Sequence, residues 1–229
     1  SDKLLNIAVE LRKRHYGKLI PWEEAQHIVP RKNIFSITDL ETGLTFQVQR
    51  RAGEDHADVQ PLTKEDTKLM KQIYDGHWSW KRRAILIHSG HEWMAASMNG
   101  MPHGGDGITG NGFSGHFCVH FFRSTTHRSD HPDLAHQLMV HKAAGNLRAF
   151  FTTASPLDLA ESFIEAMNHQ DLEILRQVSE GLAKEKLEYF VQEMSTMSIR
   201  IIKQRNSGLN YTNDTGSDEK LSEEVTLPV

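Results

Sequence analysis

The segment "NIFSITDLETGLTFQVQRR", residues 33–51, predicts the fold class of the central part of the chain. Both halves of this segment are rich in β-branched and aromatic residues, which favour strands. The tripeptide Glu41-Thr42-Gly43 between the halves is typical of the turn in a hairpin. We therefore expect an antiparallel strand pair here, and we place the start of a strand-rich domain at residue 33.

The same strand-rich texture continues toward the C-terminus. Segments 82–90 and 92–100 predict a second hairpin, and "GHFCVHFF" at 115–122 predicts a fifth strand. Between the hairpins, Thr63 followed by Asp66 is an acidic variant of the capping box and predicts a helix that ends near residue 76. A second helix is expected over 131–145, because Pro132 lies near its start and Gly145 at its end.

Both ends of the chain are predicted to be helical. Apolar residues have helical spacing within 2–16, and after a linker at 146–154 the pattern is helical again. We therefore expect an α+β protein in which a mostly-β catalytic domain has flanking helices. Its parts are an N-terminal helical segment at 1–32, the catalytic domain at 33–145, and a small C-terminal helical module with a flexible tail at 155–229.

Charge and composition exclude some function classes. A formal net charge of −4 at pH 7 gives the 229-residue chain no general attraction for nucleic acid. No apolar run approaches the roughly 20 residues that a bilayer span requires, so no membrane span is expected. The single cysteine, Cys118, excludes an intramolecular disulfide and leaves a buried thiol, a reactive thiol or a metal ligand. Nothing in the pattern indicates an oligomeric state.

Cys118 lies among histidines. Seven of the fourteen histidines of the chain fall between residues 103 and 141. Because side chains alternate along a strand, His116, Cys118 and His120 would share one face, while the apolar residues between them would share the core face. A thiol attacks as the thiolate, and a nearby imidazole can take its proton. The pattern therefore favours a nucleophilic cysteine facing a common surface over a buried inert one.

A polar segment upstream, "RRAGEDHADVQP" at 50–61, is interpreted as a loop that lines the cleft. Arg51 could bind a substrate carboxylate, and His56 and Asp58 could orient one another or bind a cation. An exposed connecting loop is an equally good interpretation of this segment. The two tryptophans of "WSW" at 78–80 are expected to anchor the core, with carbohydrate stacking as the alternative.

Residues 103–120 resemble the signature of the L,D-transpeptidases. The order His103-Gly104, a glycine-rich spacer, and then Gly115-His116-Phe117-Cys118 is similar to their His-Gly, spacer and Ser-His-Gly-Cys pattern. These enzymes cross-link bacterial peptidoglycan through a cysteinyl thioester. The resemblance implies that a peptidoglycan peptide stem is the substrate, that no cofactor is needed, and that the protein works outside the cytoplasm or in the cell envelope.

The resemblance also implies roles for individual residues. Cys118 would be the nucleophile, His103 its general base and His116 a neighbour that shapes the pocket, with backbone N–H groups near Cys118 as the oxyanion hole. The sequence departs from the family pattern where Gly115 replaces Ser or Thr and Phe117 replaces Gly. The substrate-binding residues would be Gly104, Gly115, Phe117, His120, Arg51, His56 and Asp58.

Two other functions stay open at this point. His116 or His120 with Cys118, completed by His56, Asp58 or His103, would make a zinc-dependent hydrolase. Since no standard zinc motif is present, no metal site is predicted. The strand domain could also be a catalytically inactive module that binds the cell wall. The C-terminal helices are similar to the opening of nuclear-transport-factor-two-like domains, and no catalytic residue is expected in them.

Overall fold

The computed structural model describes residues 15–105, 107–126 and 129–196. The chain divides into two compact units, Ser1–Phe150 and Phe151–Val229. The expected flexible tail, and all but the last two residues of the helix expected at 2–16, lie outside the described residues.

Six antiparallel strands form a closed barrel in the first unit. They are β1 (Ile34–Asp39), β2 (Thr45–Ala52), β3 (Ala57–Pro61), β4 (Arg83–Ser89), β5 (Glu92–Met98) and β6 (Phe117–His120). Their order around the barrel is β1-β2-β3-β6-β5-β4, and β4 pairs with β1 to close it. A separate two-stranded sheet contains β7 (Thr125–Thr126) and β8 (Ser129–Pro132).

Both predicted hairpins are present. β1 pairs with β2 around a turn in which Gly43 has a φ of 70°, and Asp39 accepts a 2.8 Å hydrogen bond from the backbone N–H of Thr42. β4 pairs with β5 in continuous register from Arg83↔Met98 to Ser89↔Glu92. Strand-favouring composition and turn chemistry agree in both segments, which explains why the sequence alone located them.

The predicted fifth strand is β6, and its apolar face lies in the core as expected. Phe117, Val119 and Phe121 are fully buried members of the main hydrophobic core. The opposite face is not an open surface: Cys118 and His120 are also buried. Helix α3 (Leu134–Ala143) lies against β4, β5 and β6 and covers this second face. The expectation of one exposed face on this strand is therefore wrong.

Strand β3 was not predicted, because its segment was interpreted as a polar loop. All five of its residues are buried, including Asp58 and Gln60. It pairs with β2 on one side and β6 on the other, with an irregularity in β2 between Arg50 and Ala52. Central strands carry few polar residues, so these side chains need partners inside the protein.

In its described part, the first unit contains two further helices and part of a third. They are α1 (Trp22–Ile28), α2 (Lys64–Ile73) and α4 (Leu147–Thr153), which crosses the boundary between the units. The predicted capping box is present in α2: the N–H of Asp66 donates to Thr63 Oγ1, and the N–H of Thr63 donates to Asp66 Oδ2. Trp22 of α1 belongs to the barrel core and stacks on Phe121 at 5.8 Å.

The second unit contains three helices over its described residues. They are α5 (Pro156–His169), α6 (Leu172–Val178) and α7 (Lys184–Thr196). Helix α5 begins with a capping box between Ser155 and Asp158, and Pro156 occupies its first turn. The rings of Phe163 and Phe190 meet edge to face at 4.8 Å. The helical character predicted for this part is confirmed.

The fold class is α+β, as the sequence predicted: a barrel-forming strand region with flanking helices and a helical module after it. Among the helices of the described ranges, none combines the length and apolar character needed to cross a bilayer.

The division into two units makes a testable prediction. A chain that ends at Thr153, which keeps α4 whole, is expected to stay folded because the barrel core lies within the first unit. Near-ultraviolet circular dichroism and the cooperativity of thermal unfolding, compared with the full chain, are the measurements. Loss of the near-ultraviolet signal in the shortened chain would show that the C-terminal helices complete the barrel core.

Candidate functional site

Cys118 on β6 contacts His103, which precedes the glycine-rich loop. His103 Nε2 lies 3.2 Å from Cys118 Sγ. The other ring nitrogen, Nδ1, lies 2.8 Å from the backbone carbonyl of Met101. Because a carbonyl only accepts, this contact places a proton on Nδ1 and directs Nε2 toward the sulfur. The nucleophile and base that the sequence predicted are thus in hydrogen-bonding contact.

The glycine-rich loop is closed at its neck by a two-residue antiparallel bridge. The N–H of His103 donates to the carbonyl of His116 at 2.9 Å, and the N–H of His116 donates to the carbonyl of His103 at 2.7 Å. Gly115 is required by this bridge, and Gly104 packs against the His116 ring. A Cβ on Gly115 (φ 86°) would lie 2.3 Å from the His103 carbonyl oxygen, and one on Gly104 (φ 72°) would lie 2.2 Å from His116 Cε1.

Buried amides fasten the same loop to the barrel. The Gln60 side chain accepts from the backbone N–H of Ile108 at 2.7 Å and donates to the carbonyl of Gly115. Asn111 Nδ2 donates to the carbonyl of Pro61 at 2.8 Å, and Thr67 Oγ1 donates to the carbonyl of Asn111 at the same distance. The loop is therefore a fixed wall of the site. Sequence reasoning missed these positioning residues, because a single amide in a polar segment carries no recognisable signal.

A second imidazole approaches Cys118 from β3. A ring nitrogen of His56 lies within 4.8 Å of Cys118 Sγ, and His56 Nε2 lies 3.3 Å from Asp58 Oδ1. The same carboxylate oxygen lies 3.6 Å from His116 Nε2. His56 and Asp58, which the sequence led us to expect to orient one another, thus lie within ion-pair distance. Both are buried, at 1% and 5% exposure, so neither side chain offers substrate an open surface.

Three histidine rings are stacked beside the thiol. His56 lies over His120 with ring centroids 4.4 Å apart, and His120 lies over His136 with centroids 3.8 Å apart, all nearly parallel. His136 Nδ1 lies 2.9 Å from Ser97 Oγ. His120 is only 2% exposed, so it packs beneath the site and does not line an open cleft. Sequence reasoning missed His136, because it lies on a helix that the sequence does not connect with β6.

The charges of these groups follow from their contacts. Burial raises the pKa of the Cys118 thiol, but the hydrogen bonds from His103 and His56 outweigh it and lower that pKa below the ordinary value. Burial lowers the pKa of His56, yet Asp58 and Cys118 raise it to about 10. The bond to Cys118 also raises the pKa of His103. Burial holds the pKa of His120 well below its ordinary value, so that ring is neutral.

Other predicted site residues lie farther from the chemistry. Phe117 is buried in the core against Phe46 and Phe113, so its ring has no access to a ligand. Arg51 is exposed, and its Nη2 donates to the carbonyl of Gly107 in the glycine-rich loop at 3.3 Å. Its guanidinium thus braces that loop from the solvent side.

The two tryptophans of the "WSW" segment have different environments. Trp78 packs against the core and meets Phe113 edge to face at 5.3 Å, as expected for an anchor. Trp80 is 47% exposed, and its ring centroid lies 5.1 Å from that of His103. The expectation of core anchoring is therefore wrong for Trp80, which forms an apolar surface beside the base.

Two groups of side chains offer ligand atoms close enough for a metal ion. In His56, Cys118 and His120, and in His103, His116 and Cys118, the atoms lie within 4.8 Å of one another. A metal ion lies near the plane of each ligating imidazole, which the parallel rings of His56 and His120 do not permit. The His103 and His116 rings are inclined by 63° and would permit it. However, the Cys118–His103 hydrogen bond explains their approach without an ion.

Comparison with known proteins adds no relative: no family model, curated protein or solved structure matches this chain.

The neck of the glycine-rich loop makes a testable prediction. Gly115→Ala is expected to displace His103, slow Cys118 alkylation and destabilise the fold by about 2–4 kcal/mol, since it adds a clash to the strain of a positive φ. Gly90→Ala is the matched control, because Gly90 also has a positive φ but has nothing within 4 Å of its added Cβ. Alkylation rate and thermal midpoint are measured for both. Equal effects of the two substitutions would contradict the importance of the neck.

Proposed function

We propose that this protein is a cysteine-dependent acyl transferase that acts on a peptide-like substrate through a Cys118 thioester. The observation that carries the proposal is the 3.2 Å contact between His103 Nε2 and Cys118 Sγ, in surroundings that lower the pKa of the thiol. A preformed thiolate–imidazolium pair is the usual arrangement of cysteine nucleophiles in acyl transfer.

The reaction begins with attack of the Cys118 thiolate on the substrate carbonyl carbon. A C–S bond forms, and collapse of the tetrahedral intermediate breaks the C–N bond while the His103 imidazolium gives its proton to the departing amine. An acceptor amine, or water, then attacks the thioester and loses a proton to His103. The C–S bond breaks, and the thiolate and imidazolium are regenerated. An amine acceptor makes the reaction a transpeptidation, and water makes it a hydrolysis.

The position of the base fits this sequence of steps. His103 is partly exposed, whereas Cys118 and His56 are buried, so His103 is the imidazole that an entering substrate meets. Trp80 beside it adds an exposed aromatic face at the entrance. Bacterial cell-wall peptide is the substrate that the resemblance of residues 103–120 implies, and an extracytoplasmic location accompanies that proposal.

Thiol reactivity tests the proposal directly. Alkylation of Cys118 by iodoacetamide is expected to be fast at neutral pH, with a midpoint below the roughly 8.5 of a free thiol. His103→Ala removes the first of the two hydrogen bonds that stabilise the thiolate, so it should raise this midpoint and slow alkylation at pH 7, about tenfold for each pH unit by which the midpoint rises. Cys118 is the only cysteine, so no other thiol contributes to the signal. A thiol that reacts only after denaturation would refute the proposal.

Two further arms of this experiment address the substrate and the alternative function. A carbapenem, whose strained lactam is an acyl donor for cysteine, should add its full mass to the native protein and not to the Cys118→Ser variant. Cys118→Ser should remain folded and unfold cooperatively, so that loss of the adduct reports the loss of the thiol. An unreactive thiol together with retained binding to cell-wall fragments would support the inactive binding module instead.

Metal analysis tests the zinc-dependent alternative. Protein purified without a polyhistidine tag is expected to carry clearly less than one equivalent of zinc and to keep its Cys118 reactivity in chelator, since His103 already bonds to the thiol and His56 lies within 4.8 Å of it. The measurements are elemental analysis and activity before and after chelation. About one equivalent of tightly bound zinc, with activity lost on its removal and restored on its return, would favour a zinc hydrolase.

A further inference from the structure

A buried carboxylate beside the thiol poses an electrostatic problem. Asp58 pairs directly with Cys118 in the β3–β6 ladder and is only 5% exposed. A negative charge on this neighbouring side chain would by itself oppose ionisation of the thiol. A buried carboxylate also needs a positively charged or hydrogen-bonding partner. The residue nearest to Cys118 on the neighbouring strand would therefore weaken the proposed nucleophile unless its charge is compensated.

The contacts of His56 supply that compensation. Its Nδ1 lies 2.9 Å from the backbone carbonyl of Thr125, and its Nε2 lies 3.3 Å from Asp58 Oδ1. Carbonyl and carboxylate oxygens only accept hydrogen bonds. Nδ1 therefore carries a proton, and Nε2 lies within ion-pair distance of a buried carboxylate, whose charge the ring balances only when Nε2 is protonated as well. The geometry therefore favours a cationic His56 buried next to the sulfur.

We propose that His56, kept as an imidazolium by Asp58 and the Thr125 carbonyl, is a positioning residue that holds the Cys118 thiolate, while His103 exchanges protons with the substrate. This inference rests on the proposed function of Cys118 as a nucleophile. Two negative groups, the thiolate and Asp58, are then balanced by two positive ones, His56 and His103. When His103 gives up its proton to a departing amine, His56 still provides a cation beside the sulfur.

The groups around His56 are consistent with a fixed positive charge. The stacked His120 ring is neutral, so it presents a π-face to the cation without repelling it. His136 covers the other face of His120 and leaves the stack closed to solvent. Among the described residues, the charged or titratable groups facing this cluster are Asp58 of β3, Cys118 and His120 of β6, His103 and His116 of the loop neck, His136 of α3, Arg50 of β2, and Asp133 and Arg82 near His120.

Asp58→Asn tests the proposal by the sign of its effect. If Asp58 acts through His56, the substitution makes His56 easier to deprotonate and raises the midpoint of Cys118 alkylation by about one pH unit, a tenfold loss of rate below the midpoint. If Asp58 is only a negative charge beside the sulfur, the midpoint falls. If its role is purely structural, the pH midpoint of alkylation is unchanged and only the midpoint of thermal unfolding falls. Either of the last two results would overturn the proposal.

His56→Gln provides a second variant, since it keeps an amide near Asp58 but carries no charge. It should raise the alkylation midpoint in the same direction as Asp58→Asn. His141→Gln is the matched control: His141 is a buried histidine of the same unit whose pKa burial lowers to about 4, and it packs against Phe122 and Phe150. The control should leave the midpoint unchanged. An equal shift in His141→Gln would show that any loss of a buried imidazole has this effect.

A measurement on the unaltered chain removes dependence on the folding of variants. In a ¹⁵N NMR spectrum at pH 7, both ring nitrogens of His56 are expected to carry protons, and a neutral His56 ring would overturn the proposal. Failure here is distinct from failure of the proposed function. If the native thiol alkylates at neutral pH and His56 is neutral, only the proposed role of His56 is refuted. If the native thiol is unreactive, the proposed function of Cys118 is refuted.

Discussion

The pairing of β3 with β6 is the constraint on which the rest of the structure depends. Its register places Asp58 opposite Cys118 and, one residue either way, Val59 opposite Phe117 and Ala57 opposite Val119. Because side chains alternate, a slip of one residue would move the apolar set out of the core and the polar set into it. The packing of the hydrophobic core thus fixes the position of the Asp58 carboxylate beside the Cys118 thiol.

The second constraint is the neck of the glycine-rich loop. His103 and Cys118 are fifteen positions apart, so a flexible loop between them would leave the base free to move away from the sulfur. The paired backbone hydrogen bonds between His103 and His116 fix the base, and Gln60 ties the loop to β3. His103, held by these backbone bonds and by the attachment of the loop to a buried amide, is therefore preorganised beside the sulfur.

Much of this fold could be predicted from sequence because local signals agree with the tertiary structure. Strand composition and turn residues located both hairpins, and the Thr63–Asp66 capping box located α2. Strand β3 could not be recognised by composition. His56, Asp58 and Gln60 make its segment look like a loop, because their burial requires partners that come from distant segments.

The candidate site was predictable in part. The alternation in β6 correctly placed Cys118 and His120 on the face opposite the core phenylalanines. Alternation describes one strand, however, and helix α3, which covers the second face and brings His136 with it, makes a contact between segments that periodicity cannot reveal.

The degree of burial alone does not decide whether a cysteine is inert. Cys118 is only 7% exposed, and an apolar pocket of that kind would raise the pKa of the thiol and make it a small hydrophobic residue. Here imidazoles face the sulfur, and the pKa of the thiol moves down because the interactions with His103 and His56 outweigh the effect of burial. Exclusion of water also strengthens these interactions. The identity of the covering groups, more than the depth of the sulfur, therefore sets the direction in which the pKa of this buried thiol moves.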